Sequence, residues 1–137
     1  MTSRHTPKAQ PVALTLHQQS RALAIEFADG ASFSIPFELM RVYSPSAEVQ
    51  GHGPGQETLQ TGKRLVNVDA VEPVGHYAIQ PHFSDGHDSG IFTWDYLYQL
   101  GARQAELWAD YEARLQAAGV DRDAAMPPPA GSACSSH

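Results

Sequence analysis

Hydrophobic and polar residues alternate in three short runs near the start of the chain, at residues 12–16, 22–27 and 32–35. In each run the apolar side chains recur at every second position, which is the period of a β-strand with one buried face. Asp29-Gly30 separates the second run from the third, and this pair favours a short hairpin turn because both residues tolerate positive φ. We therefore predict a three-stranded antiparallel meander with one apolar face.

The next segment changes from a short helix to a long loop. Pro36 precedes residues 37–42, and proline is favoured in the first turn of a helix because its missing N–H costs nothing there. Pro45 then ends the predicted helix. Residues 44–62 contain four glycines and almost no large apolar side chain. Structureless segments of this length in a small domain are either functional or mobile.

Further strands and a helix are predicted downstream. Three more runs rich in β-forming residues follow, at residues 65–71, 76–83 and 89–92. Pro81 indicates an edge strand or a bulge in the middle run. After Thr93, a favourable N-cap, large apolar residues recur every three or four positions as far as Gly119, a favourable C-cap. Gly101 predicts that this helix is divided into a short and a long part.

These elements together predict an α+β fold, with a mostly antiparallel twisted sheet of five or six short strands and a C-terminal helix packed on it. The folded domain is predicted to extend over residues 12–119. Residues 1–11 are predicted to be a disordered lead and residues 120–137 a disordered Pro/Ser-rich tail. A single domain accounts for the whole length of 137 residues.

Composition excludes several classes of function. Nine Lys and Arg stand against fifteen Asp and Glu, and the net charge of −6 argues against a nucleic-acid-binding surface. No apolar stretch approaches the roughly 18–20 residues that cross a bilayer, so a membrane partner is not expected. The one cysteine, Cys134, permits neither an internal disulfide nor a four-cysteine zinc module. A reducing, cytoplasmic location is therefore predicted.

The candidate chemistry lies at two histidines. His52 is in the glycine-rich loop, and His87 is in the turn that also contains Asp85 and Asp88. Imidazole and carboxylate groups could hold zinc or iron weakly, although the turn alone does not provide the ligands that a tetrahedral zinc site needs. The alternative interpretation is a hairpin turn in which Asp85 accepts a backbone hydrogen bond. No P-loop, dinucleotide-binding or nucleophile-elbow motif is present, which disfavours nucleotide binding and a hydrolase.

Several segments, in this order, resemble a known domain. They are Asp29-Gly30, Pro36-Phe37, residues 40–49, residues 83–89 and Trp94. Together they resemble the N-terminal domain of γ-butyrobetaine hydroxylase and its relatives, and the stretch 12–119 is similar to the small bacterial proteins of the DUF971 family, which consist of this domain alone.

The resemblance implies a specific change at a zinc site. In the hydroxylase this domain holds a structural zinc through a C-x-C-x2-C group and a histidine in a DGHxS turn. The histidine position corresponds to His87, whereas the three thiolate positions fall on Ser44, Ser46 and Val49. Hydroxyls are weak ligands for zinc and valine is none, so a thiolate-anchored site is not expected. The oxygenase chemistry of the relatives resides in a separate domain and does not carry over.

Three functional hypotheses follow. The first is a non-enzymatic binding or adaptor module that uses residues 44–62 and 85–89 to contact a protein partner or a second copy of the chain. Its predicted binding residues are Arg41, Ser44, Ser46, His52, Asp85, His87 and Asp88. The alternative is a metal-handling or iron-sulfur cluster assembly accessory protein with a weak site formed by His52, His87 and either Asp85 or Asp88. The resemblance implies it, since similar domains are attached to P-loop ATPases of cluster assembly. The third is a small enzyme with His87 as general base. No cofactor is expected apart from weakly bound zinc or iron.

Overall fold

The computed structural model of the protein describes residues 10–50 and 58–124. The predictions that fall on residues 1–9, on residues 125–137 and on the loop around His52 lie outside the described residues.

The first sheet is the predicted meander. It contains β1 (Pro11–His17), β2 (Ala22–Phe27) and β3 (Ser32–Pro36), paired antiparallel in that order. Leu23, Ile25 and Ile35 are buried on its inner face, as the two-residue period requires. At the turn, the Asp29 side chain accepts a hydrogen bond from Ala31 N and Gly30 has a φ of 92°, so the predicted turn is confirmed.

The second sheet contains β4 (Val68–Val74), β5 (Ala78–Phe83) and β6 (Phe92–Thr93), again antiparallel and in chain order. β4 begins three residues later than predicted, and β6 has only two residues. Pro81 pairs with Val71 on one side, and the paired residues of β6 oppose only Ala78 and Ile79. β5 is the middle strand of this sheet and its register is regular at Pro81, so the predicted edge strand or bulge is wrong. The proline is tolerated because it lies beyond the two residues of β5 that pair with β6.

The prediction of five or six strands in one sheet is wrong, because the six strands form two sheets of three. Side chains join the two sheets. Gln18 Nε2 donates to Val68 O at 2.8 Å, and Asn67 Nδ2 donates to Gln18 O at 3.1 Å. The alternating pattern of a strand shows which face is buried but carries no information about which sheet it joins.

Four helices complete the fold: α1 (Phe37–Val42), α2 (Ala47–Gln50), α3 (Trp94–Ala102) and α4 (Gln104–Ala118). α1, the Thr93 cap and the C-cap at Gly119 agree with the predictions, since Tyr96 N donates to Thr93 Oγ1 and Gly119 has a φ of 71°. α2 shows that the predicted loop is not structureless throughout.

The C-terminal helix is divided, but Gly101 is not the point of division. The break lies at Arg103, and Gly101 remains inside α3. A Cβ at Gly101 would lie 2.3 Å from Cγ of Phe33 on β3, so glycine lets α3 approach the first sheet closely.

The main core lies between the two sheets and the helices. Its buried residues include Leu23, Ile25, Phe27, Ile35, Phe37, Leu39, Met40, Val68, Ile79, Phe83, Phe92, Leu97 and Leu100. Within the described part of the chain, no helix combines the length and the apolar character that crossing a membrane demands.

Residues 120–124, which the sequence analysis placed in the tail, contact the domain. Arg122 O accepts a hydrogen bond from Gly62 N at 2.8 Å, and Arg64 and Asp123 form an ion pair at 2.8 Å. The Arg122 guanidinium donates two hydrogen bonds to Glu38 on α1. This short segment therefore packs against α1 and against the residues that precede β4.

Candidate functional site

The candidate site forms where the chain after α1 meets the turn after β5. Ser44 Oγ and His87 Nε2 lie 2.9 Å apart and share a hydrogen bond, and Ser46 Oγ lies 2.6 Å from Ser89 Oγ. Each pair joins residues that are 43 positions apart in the sequence. The two segments that the resemblance associates are therefore fastened together by side chains.

The turn that carries His87 is a tight hairpin. Gly86 has a φ of 91°, and its N–H donates to Phe83 O at 3.0 Å. Asp85 Oδ1 accepts from His87 N at 3.3 Å, which confirms the predicted Asx-type turn. His87 O in turn accepts from Phe83 N, and the imidazole ring packs beside the Phe83 ring. The backbone of the turn thus fixes the direction of a histidine that is only 5% exposed.

Gly90 makes room for the Ser44–His87 pair. Ser44 is fully buried, and a Cβ built at Gly90 would lie 2.3 Å from Ser44 Oγ. This distance is far inside van der Waals contact, so any larger residue at position 90 displaces the serine hydroxyl.

We expect Gly90→Ala to lower the free energy of unfolding by about 1–3 kcal/mol, the usual cost of overpacking a buried site. Urea denaturation of the purified variant measures this loss. In the double variant Gly90→Ala/Ser44→Ala, the clashing oxygen is absent, so the two costs should be less than additive. Strictly additive costs would show that the clash with Ser44 is not the cause.

Asp85 joins the turn to two cations. Its Oδ2 lies 3.0 Å from Arg41 Nε and 2.9 Å from Lys63 Nζ, so one oxygen serves both groups. Burial raises the pKa of the Asp85 carboxyl, but the hydrogen bond from Lys63 and the positive charges of Arg41 and Lys63 outweigh that effect. The pKa of Asp85 is consequently lower than its usual value of 3.8.

The lowered pKa gives stability a pH dependence. A carboxyl group whose pKa is lower in the folded state stabilises the fold above its unfolded pKa, and this contribution is lost as the pH falls through the folded pKa. We expect Asp85→Asn to cost about 1–3 kcal/mol at pH 7, since two cations lose their counter-charge. The difference in the free energy of unfolding between the variant and wild type should become smaller below pH 3.8.

Urea denaturation at several pH values between 7 and 2.5 measures this dependence. The matched control is Asp69→Asn, which removes the same charge from an exposed position of β4. Its effect should stay within about 0.5 kcal/mol at every pH. A constant difference between Asp85→Asn and wild type across the range would contradict the expected linkage.

The remaining predicted residues are placed differently. Asp88 belongs to a separate polar group, because its Oδ2 lies 3.8 Å from His82 Nδ1 and its carbonyl accepts from Gln80 Nε2. His52 lies outside the described residues. Over residues 10–50 and 58–124, no group of three or more His, Cys, Asp or Glu side chains is arranged to hold a metal ion.

The zinc site that the resemblance implies does not fit these residues. Ser44 and Ser46 present neutral hydroxyl groups, and both hydroxyls take part in hydrogen bonds. Val49 is buried and offers no donor atom. The thiolates that anchor such a site are absent. Ser44 bonds to His87 instead, and Ser46 bonds to Ser89.

Sequence reasoning missed two contributors to the site, Lys63 and Tyr96, and included Ser89 only as part of the segment 85–89. Tyr96 OH donates a hydrogen bond to Tyr43 O, next to Ser44. Lys63 stands beside Gly62 in a segment without periodicity, so no pattern associates it with Asp85, 22 positions later. Ser89 is the serine of the DGHxS pattern, but the pattern does not show that it bonds to Ser46.

Comparison with known proteins decides the family. The sequence model of the family described as γ-butyrobetaine hydroxylase-like, N-terminal, matches residues 14–98, which is more than half of the chain. The chain belongs to this family. No curated protein matches the sequence.

Solved structures of relatives agree with this assignment. The γ-butyrobetaine hydroxylase-like domain described here is similar to a protein with an NMR solution structure, with 50% identity over 87% of this chain and 94% of that one and a TM-score of 0.73. A second NMR structure has 44% identity over 94% and 98% of the two chains and a TM-score of 0.74.

A crystal structure of a DUF971 family protein of unknown function from Acidithiobacillus ferrooxidans ATCC 23270 has 44% identity. It covers 66% of this chain and 91% of that one, with a TM-score of 0.57. The resemblance inferred from the sequence motifs is thereby confirmed.

Proposed function

We propose that this member of the γ-butyrobetaine hydroxylase-like N-terminal family is a non-enzymatic adaptor that binds a partner protein through residues 44–62 and 85–89. The observation that carries the proposal is the pair of hydrogen bonds that fasten these segments together, Ser44–His87 and Ser46–Ser89. Both links hold the first residues of the segment 44–62 against the turn at 85–89. A fixed frame that carries loops is the usual construction of a binding surface.

The burial of the polar groups supports binding rather than catalysis. Ser44 is fully buried and His87 is 5% exposed. A nucleophile or general base has to come within hydrogen-bond distance of its substrate, and here the serine hydroxyl and the imidazole are directed at each other inside the protein. Their contribution is to hold the turn and the segment after α1 in place.

The segment between α1 and β4 is also held on both sides of residues 51–57. Thr58 N donates to Val49 O at 2.7 Å, and Tyr111 OH donates to Gln60 O at 2.6 Å. Gly62 N donates to Arg122 O. The described residues on both sides of 51–57 are therefore held in place by the domain, and groups that are already ordered lose less entropy when they bind a partner.

Quantitative affinity capture tests the proposal. Wild-type protein and a variant lacking residues 51–56 are immobilised at equal density and incubated with the same cell lysate. The proteins that each one binds are then compared by mass spectrometry. We expect specific partners to be lost from the variant. The control is Glu112→Ala, an exposed change on α4, which should retain them. An identical set of bound proteins for all three would overturn the adaptor proposal.

The partner could be a second copy of the chain, and sedimentation velocity distinguishes this case. A wild-type dimer that becomes monomeric in the variant lacking residues 51–56 would identify the partner as another copy. The location proposed for this activity is the cytoplasm, on the basis of the single cysteine.

A metal-handling role is the second candidate. One observation favours it: the imidazole of His87 is buried and held by the turn. The resemblance assigns His87 to the position of the zinc-binding histidine in the hydroxylase domain. A weak zinc or iron site would also require His52 and a carboxylate from Asp85 or Asp88. Metal analysis of purified protein, with His87→Ala as control, tests it. Stoichiometric metal that is lost in the variant would replace the adaptor proposal.

A further inference from the structure

Arg41 is a buried cation that uses only part of its hydrogen-bonding capacity. Its side chain is 10% exposed, and its hydrogen bond to the described residues runs from Nε to Asp85. Nη1 is buried and has no hydrogen-bond acceptor among the described residues. Buried donors are nearly always satisfied, because an unpaired charged donor away from water costs stability.

The surroundings of Arg41 carry a surplus of positive charge. Arg41 and Lys63 share one carboxylate, and both contact the same oxygen of it. The other oxygen of Asp85 accepts from the backbone of the turn. Among the described residues of this cluster, two cations and one anion leave a net charge of about +1. This local excess contrasts with the net charge of −6 for the whole chain.

The cluster also reaches the surface. The Asp85 side chain is 27% exposed and that of Lys63 is 14% exposed, so the charged groups adjoin solvent at the edge of the turn. They lie next to the two segments of the proposed binding surface, residues 44–62 and 85–89. A ligand group that arrives at this surface meets the Asp85 and Lys63 side chains first, and the Arg41 guanidinium, which Asp85 orients, is only 10% exposed.

We propose that Arg41 and Lys63 form a receptor site for a carboxylate group from an acidic segment of the partner protein. The planar guanidinium matches a carboxylate with two parallel N–H···O bonds, and Nη1 supplies a donor that Asp85 does not use. This inference rests on the proposed adaptor function and names the chemistry that the partner contributes.

NMR titration of purified protein tests the site in the absence of any partner. The probes are acetyl-Glu-Glu-Glu-amide, the neutral acetyl-Gln-Gln-Gln-amide and inorganic phosphate. We expect the acidic peptide alone to cause saturable shifts in the backbone amides of Arg41, Lys63 and Asp85. Shifts with phosphate but not with the peptide would indicate a site for free oxyanions and overturn the proposal.

Variants sharpen the test. Asp85→Asn removes the carboxylate that competes with the peptide for Arg41, and it should tighten peptide binding about tenfold. Arg41→Lys retains the positive charge but loses the planar guanidinium, and it should weaken peptide binding about tenfold. Lys63→Met provides a second measure of weakening if Arg41→Lys does not fold. The matched control is Asp123→Asn, which frees the exposed Arg64 in the same way. Equal tightening by Asp123→Asn and Asp85→Asn would show a general charge effect and overturn the site.

The two proposals fail separately. If partner capture requires residues 51–56 but is unchanged in Arg41→Lys, the adaptor function stands and the carboxylate site is wrong. If the peptide binds as expected but no partner is captured, the site stands as a carboxylate-binding site and the adaptor function is wrong.

Discussion

Arg122→Ala is expected to lower the free energy of unfolding by about 3 kcal/mol, the lower end of the cost of breaking a buried ion pair, because the Arg122 side chain is 30% exposed. Arg122 Nε lies 2.7 Å from Glu38 Oε2, and its Nη2 lies 2.5 Å from Oε1. The Glu38 side chain is only 6% exposed, so truncation of the arginine leaves a buried carboxylate without a counter-charge. The guanidinium also covers the Trp108 ring, and that contact is lost as well.

Urea denaturation with matched variants measures this effect. Glu38→Gln combined with Arg122→Ala should recover most of the loss, because the stranded charge is then absent. Arg64→Ala removes an exposed ion pair with Asp123 from the same segment and should cost at most about 1 kcal/mol. Equal losses for Arg122→Ala and Arg64→Ala would show that the burial of Glu38 does not determine the energy.

The contact of Arg122 with Glu38 also shows what sequence patterns omit. The two residues are 84 positions apart, and neither belongs to a motif. Helical periodicity ends at Gly119, so a pattern-based boundary falls there, although residues 120–124 continue to contact the domain. A single ion pair between distant segments leaves no periodic signal.

Local signals predicted the elements and their caps, while long-range relations were harder to predict. The alternation in residues 12–35 identified the meander, and Thr93 identified the start of α3, because these features depend on neighbouring residues. The number of sheets depends on which backbone edges meet. Gln18 and Asn67 bridge the sheets through side chains, and their pairing across 49 positions could not be predicted from either segment alone.

The candidate site was predicted through the resemblance more than through physical patterns. The motif order associated Ser44 and Ser46 with His87, and the structure places Ser44 against that histidine. Lys63 was missed, because a lysine before a strand has no distinctive local pattern. The requirement for glycine at position 90 depends on the distance to Ser44 Oγ, which only the folded structure provides.

The triple variant Ser44→Cys/Ser46→Cys/Val49→Cys is expected to bind one zinc ion per chain, with His87 Nε2 as the fourth ligand. All three positions are buried, Ser44 Oγ already lies 2.9 Å from His87 Nε2, and Ser46 Oγ lies 2.6 Å from Ser89 Oγ in the same turn. Tetrahedral zinc with normal Zn–S and Zn–N bonds separates two such ligand atoms by roughly 3.6 Å. The longer C–S bond and a small movement of the turn are enough to provide that separation.

Zinc should then stabilise the variant strongly, since it binds the folded site and has no preformed site in the unfolded chain. At free zinc about 1,000 times the Kd, the gain is about 4 kcal/mol. Elemental analysis gives the stoichiometry, and thermal unfolding with and without a chelator gives the stability. Without zinc, the variant should be less stable than wild type, because the Ser44–His87 and Ser46–Ser89 hydrogen bonds are replaced by weaker thiol contacts.

The control is the same triple variant with His87→Ala, which should bind zinc far more weakly because one of the four ligands is gone. Wild-type protein under the same conditions shows whether serine hydroxyls alone retain the metal. If the triple variant folds and binds no zinc, the segment after α1 does not have the ligand geometry that the resemblance implies. Ser44 and Ser46 would then not occupy the positions of zinc-binding thiolates, and their hydrogen bonds would be a feature of this chain's own turn.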